Sequence, residues 1–170
     1  MTKRKLKPNV KKWSKFVLKL TTIIVVAVLV FQYIFGFFYV RGNYMFPNVK
    51  DGDLLMTFKF DTVVKNDLVV YTQDDKKRVG RVIAMEGDTV AFSTDGELLV
   101  NGNVANEEIF YATTEVASSG IEYPYTVPEG EVFILNDYRS LDAEDSRTFK
   151  SVKTENVQGK VFLQIRRRGF

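Results

Sequence analysis

The chain has 170 residues, with 24 Lys and Arg against 21 Asp and Glu, and no His. It also has no Cys. That length holds one membrane segment and one modest domain, and the missing residue types exclude a disulfide scaffold, a thiol nucleophile, a Ser-His-Asp triad and thiolate- or imidazole-bound zinc. Acid–base chemistry is left to Lys, Asp, Glu and Tyr.

Charge is placed unevenly. Residues 1–19 carry eight Lys and Arg and no acid, residues 20–40 carry no charge, and residues 41–170 hold 16 basic and 21 acidic residues, a net −5. A nucleic-acid reader keeps its positive surface on the folded part, so no nucleic-acid partner is expected. Residues 1–19 read as a basic cytoplasmic leader. The run from Leu20 to Val40, LTTIIVVAVLVFQYIFGFFYV, is 21 residues. As a helix it reaches about 30 Å, the thickness of a bilayer's hydrocarbon. A cleaved signal peptide needs a shorter apolar stretch and small residues at its cut site. This run ends in Phe37-Phe38-Tyr39-Val40-Arg41, so residues 20–40 are read as an uncleaved, single-pass signal-anchor. The basic leader keeps the N-terminus cytoplasmic and places residues 41–170 outside the cell membrane.

Beyond Val40 the apolar pattern is short and β-like: Leu54–Phe60, Asp67–Tyr71, Val79–Met85, Thr89–Phe92, Leu98–Asn101, Glu131–Leu135 and Gly159–Ile165. Turn residues separate them, among them Asp51-Gly52-Asp53, Gly87-Asp88 and Asn101-Gly102. Asp95-Gly96 between two such runs predicts a hairpin with a type I′ turn. Residues 103–127 are polar and irregular and read as a variable loop or insertion. The expected fold is mainly β, an antiparallel sheet or barrel-like domain behind one N-terminal transmembrane helix.

Four segments then stand out. They are Val40-Arg41-Gly42-Asn43-Tyr44-Met45-Phe46-Pro47 followed by Asp51-Gly52-Asp53, Lys65-Asn66-Asp67-Leu68-Val69-Val70-Tyr71, and Val79-Gly80-Arg81-Val82-Ile83-Ala84-Met85-Glu86-Gly87-Asp88. The last is Val127-Pro128-Glu129-Gly130-Glu131-Val132-Phe133, with Asn136-Asp137-Tyr138-Arg139 and Asp145-Ser146-Arg147 after it. In this order, behind an N-terminal anchor, the chain resembles the type I signal peptidases. The resemblance implies their catalytic-domain fold and a Ser–Lys dyad. An apolar site favours the neutral amine of the lysine, which takes the serine's proton as it attacks a peptide carbonyl. That chemistry uses no metal and no cofactor, and none is expected here.

Both members of the dyad are replaced. The resemblance puts Tyr44 at the serine position and Gly80 at the lysine position. Glycine offers no proton acceptor, and a phenol with a pKa of about 10 is a poor nucleophile without a base. Loss of the dyad removes most of an acceleration worth at least about 8 kcal/mol. Lys76 and Lys77 lie too far along a strand to reach the site, and Ala143 is the nearest equivalent of the serine that orients the lysine. Asp67, Arg81, Asp88, Asp137, Arg139, Asp145 and Arg147 remain, and read as framework ion pairs and turn caps.

The family binds an extended segment between two strands, which needs no nucleophile. The matching walls are Val40, Gly42, Tyr44, Met45 and Phe46 on one side and Arg78, Val79 and Gly80 on the other, with Gly80 expected to open space opposite Tyr44. The chain is most like the non-catalytic signal-peptidase-like proteins of Gram-positive pilus assembly. That likeness implies an inactive homologue that holds a secreted or pilin segment beside a sortase or other pilus machinery. The alternatives are an active signal peptidase with a rearranged nucleophile and a structural partner that binds no substrate.

Overall fold

The computed structural model describes residues 10–105, 113, 120–139 and 144–166. Residues 1–9, most of the 103–127 segment and Ala143 lie outside the described residues. The chain divides into two compact units, residues 1–34 and 35–170.

The first unit contains α1, Val10–Ile34. Its segment Trp13–Ile34 is long and apolar enough to cross a membrane, and none of it is buried within the protein. An apolar helix exposed all round has no polar face for water, and lipid is the solvent that suits it. The helix does not run from 20 to 40. It starts earlier, taking in Lys15 and Lys19, and ends at Ile34. Phe35–Tyr39 is strand β1, paired antiparallel with β2, Leu54–Phe58, in the register Phe35↔Phe58 to Tyr39↔Leu54. Gly36 is the weakest helix former in this stretch. It also lets the strands meet closely, since a Cβ there would stand 2.5 Å from Thr57 Oγ1. Hydropathy alone cannot separate a short apolar strand from the end of an apolar helix, so a domain boundary drawn at residue 41 would cut off β1.

The second unit is mainly antiparallel β, as the sequence indicates. Its larger sheet adds β3 (Leu68–Gln73), β4 (Lys76–Met85), β9 (Glu131–Leu135), β10 (Val152–Lys153) and β11 (Val157–Ile165), in the order β1-β2-β11-β3-β4-β9-β10. A smaller sheet has the order β7-β6-β5-β8, with β5 Thr89–Phe92, β6 Leu98–Val100, β7 Asn103–Val104 and β8 Tyr125–Thr126. Val90, Leu98 and Val127 pack with Ile83, Phe133 and Leu135 between the two sheets. Val69, Tyr71, Val82, Val132, Ile134 and Val152 fill a second cluster, and Val40, Met45, Val49, Leu55 and Val79 a third.

Turn chemistry differs from the sequence reading at one hairpin. β5 and β6 do form a hairpin, but its connection runs over Ser93–Glu97, with Ser93 N–H donating to Glu97 C=O at 2.9 Å. Only Gly96 there has a positive φ, +80°, so the turn is not type I′. The tight two-residue turn, with positive φ at both central residues, is instead Asp74-Asp75 (+51° and +58°) between β3 and β4. Aspartate tolerates this conformation because its side chain is short and polar.

Behind β9 a four-residue helix α2, Ser146–Phe149, is capped by Asp145, which accepts from the Arg147 N–H at 3.0 Å. The same carboxylate takes the Arg147 guanidinium, Nη2 to Oδ2 at 2.9 Å, and the Asn136 N–H at 3.2 Å, all buried. Asp145→Ala strands the Arg147 charge in the interior. The substitution is expected to cost about 3–5 kcal/mol of unfolding free energy, measured by urea denaturation of the full chain in detergent; a loss below about 1 kcal/mol contradicts this account.

Candidate functional site

Three segments meet around a cavity of about 400 Å³. The first is Val40 to Phe46, which leaves β1. Val40 N–H donates to Asp53 C=O at 2.9 Å, Gly52 N–H returns to Val40 C=O at 3.0 Å, and Asp51 Oδ1 accepts from Gly42 N–H at 2.7 Å. Gly42 has φ +86°, and a Cβ on it would lie 2.8 Å from Tyr44 Cε2. The glycine thus supplies the left-handed turn and a seat for the Tyr44 ring. The second segment is the start of β4. The third is the stretch after β9, where Tyr138 N–H donates to Tyr44 C=O at 2.9 Å.

Asp137 locks the three together. Its carboxylate is buried and takes two parallel bonds from Arg81, Nε to Oδ1 at 2.8 Å and Nη2 to Oδ2 at 2.7 Å. Asn48 Nδ2 also donates to it at 2.9 Å, and its own N–H points at Met45 Sδ, 3.4 Å away. Bidentate pairing of this kind fixes geometry as well as charge. Arg139 donates to Asn136 C=O and to Thr113 Oγ1. Asp67 accepts from Val64 N–H and pairs with Lys160, and Asp88 accepts from Met85 N–H and pairs with Lys65. Burial works to raise the Asp88 pKa, but the bonds from Lys65, Met85 and Asn101 outweigh it and hold the carboxyl below its usual range.

The strand register exposes an edge. β4 pairs with β3 from Lys76 to Arg81, but with β9 only from Arg81 to Met85. On its other side, residues Lys76–Gly80 have no strand partner among the described residues. Unpaired N–H and C=O groups along an edge are a template for an added strand.

Six of the eight wall residues read from the sequence line the cavity: Val40, Gly42, Tyr44, Met45, Arg78 and Val79. Phe46 does not; its ring packs edge-on against Tyr138, 6.4 Å between centroids. Gly80 does not either, and it opens no space opposite Tyr44. A Cβ at 80 would point into the core, 2.5 Å from Ile134 Cγ2, 3.2 Å from Tyr71 Cε1 and 3.3 Å from Leu135 C=O. The volume a longer side chain needs is filled by Tyr71 and Ile134. Burial, with help from Asp145, pushes the Tyr71 hydroxyl well above the ordinary phenol range, and that hydroxyl has no hydrogen-bond partner among the described residues. Tyr44 is 49% exposed, and its hydroxyl likewise makes no hydrogen bond there.

The sequence reading missed Phe38, Arg41, Lys77, Asn136 and Glu144, which also line the cavity. Phe38 lay hidden in the supposed anchor. Glu144 accepts a charge-assisted bond from Arg78, which holds its carboxyl below the usual range. Arg78 also donates to Gln73 C=O at 2.6 Å and lies over the Phe149 ring, 5.6 Å from its centroid. Lys76 Nζ is 4.0 Å from Glu144.

Residues 13–165 match the model of the family described as "Signal peptidase, peptidase S26". The chain belongs to the signal peptidase family. It is similar to signal peptidase I S of Bacillus subtilis (strain 168), with 29% identity over 83% of this chain and 80% of that protein. Signal peptidase I of Streptococcus pneumoniae serotype 4 is 27% identical over 91% of this chain and 92% of its own. A crystal structure of a signal peptidase I from Enterococcus faecalis V583 superposes with TM-score 0.51 at 26% identity, covering 60% of this chain and 98% of that one. The signal-peptidase fold therefore carries the groove.

Adding one methyl group at 80 tests how closely this part of the signal-peptidase core is packed. Gly80→Ala is expected to lower unfolding stability by about 1–3 kcal/mol. In an Ile134→Ala background the same change should cost at least about 1 kcal/mol less, because the methyl it meets is gone. Equal costs in the two backgrounds, read by denaturant titration, contradict the contact.

Proposed function

We propose that this chain is a catalytically inactive signal peptidase homologue that holds an extended segment of a secreted or pilin protein and assists pilus assembly. On this reading α1 anchors it in the cell membrane with the basic leader inside and the β unit outside. The observation that carries the binding half is the open edge of β4 at Lys76–Gly80, facing Val40–Tyr44 across the cavity. A segment entering there gains main-chain hydrogen bonds from the edge and side-chain pockets from the floor of Met45 and Val79.

The inactive half is supported by the filled space at Gly80. An amine that removes a proton must stand within hydrogen-bonding reach of the nucleophile. The Tyr44 hydroxyl makes no hydrogen bond to an amine among the described residues, and a side chain at 80 would meet Tyr71 and Ile134 where they stand. Without a stabilised transition state, affinity for the segment yields holding rather than cutting.

One observation favours a second reading. Lys77 lines the same cavity as Tyr44, so an active peptidase with a rearranged nucleophile has a candidate base. Lys77 is exposed and makes no hydrogen bond to the phenol.

The full chain, reconstituted in lipid with a preprotein, is expected to leave it uncut over hours, while deletion of the gene abolishes surface pili with preprotein processing unchanged. Cleavage that disappears in Tyr44→Phe establishes the peptidase. Normal pili after deletion overturn the assembly role.

A further inference from the structure

We infer that the segment held in this groove carries an acidic side chain, placed two residues from the small or apolar residue that sits over Val79. The inference rests on the extended-segment reading above and names the chemistry of its ligand.

The cavity lining holds three cations, Arg41, Lys77 and Arg78, and one acid, Glu144. Arg78 and Glu144 neutralise each other. Arg41 and Lys77 remain, both exposed, and neither side chain has an ion-pair or hydrogen-bond partner among the described residues. They belong to opposite walls: Arg41 follows β1, and Lys77 stands on the open edge of β4. A chain threaded between the walls passes both.

The strand periodicity places the charge. Side chains two apart on a strand share a face. Lys77 and Val79 both line the cavity, Lys77 exposed and Val79 buried in the floor with Met45 and Val40. A strand added along this edge presents every second side chain to that face, each about 5 Å from its cross-strand partner. Its residue opposite Val79 meets hydrocarbon and its residue opposite Lys77 meets an ammonium group. A carboxylate suits the second position, and a lysine there is repelled. The cations thus select the charge of the client, while the edge holds its backbone whatever its sequence.

An anionic lipid headgroup is the other source of negative charge, and the geometry favours the peptide: the cations sit on two walls of a groove around an open strand edge, not on one flat patch. The test uses fluorescein-labelled Ala/Thr/Val peptides of about nine residues, with Glu, Gln or Lys scanned through each position. Binding to the full chain is measured by fluorescence anisotropy, in nanodiscs of zwitterionic lipid and in discs with about one-third anionic lipid.

Glu at one register is expected to bind about three- to tenfold tighter than Gln, and Lys more weakly, because exposed ion pairs are individually modest. The preference should shrink as salt rises from about 50 to 300 mM. Arg41→Glu with Lys77→Glu should reverse it in favour of Lys. Equal binding of Glu and Gln peptides overturns the inference and leaves the groove reading standing. Loss of the preference only in anionic discs overturns it by assigning the cations to lipid. Failure of every peptide to bind overturns the groove reading itself, and the inference with it.

Discussion

The groove depends on one buried carboxylate. Asp137 receives Arg81 from β4 and Asn48 from the turn after β1, while the neighbouring Tyr138 N–H grips Tyr44. Asn48 and Asp137, 89 residues apart in sequence, are joined directly through this side chain. A buried charge is tolerable only when its lone pairs are met and an opposite charge is close. Asp137 has both. Its partners are consequently held in one arrangement.

A signal peptidase scaffold makes two separable demands on its site. Holding a chain needs an open strand edge and a shaped floor. Cutting it needs, in addition, a proton acceptor kept in a dry and reachable place. At Gly80 the space a longer side chain would need is taken by the Tyr71 ring and an Ile134 methyl. Neighbouring residues of one strand face different ways: Arg81 secures the frame, Val79 lines the floor, and Gly80 between them faces the interior.

Much of this was legible in the sequence, for physical reasons that can be named. The antiparallel β class followed from alternating apolar runs between turn residues, and the family from four ordered segments. Residues that line the cavity were found where motif and strand period agreed, as at Val79 and Met45. Three things were not legible. The boundary at Ile34 was hidden because Phe35–Tyr39 is as apolar as the helix before it, and only its pairing with Leu54–Phe58 makes it a strand. Asp95-Gly96 looked like the tight hairpin turn, while the register put that turn at Asp74-Asp75. A glycine in a sequence looks like empty space, whereas at 80 the space belongs to two side chains from other strands.

The ionisable groups around the groove carry a last consequence. The chain has no imidazole and no thiol. Arg78 keeps the Glu144 carboxyl charged to lower pH than usual, and burial keeps the Tyr71 phenol neutral to higher pH. Both shifts run away from neutrality, so each group favours at neutral pH the form it already holds, carboxylate for Glu144 and phenol for Tyr71. Neither serves as a proton-operated switch, so mild acidification of the surroundings reaches the groove through neither group.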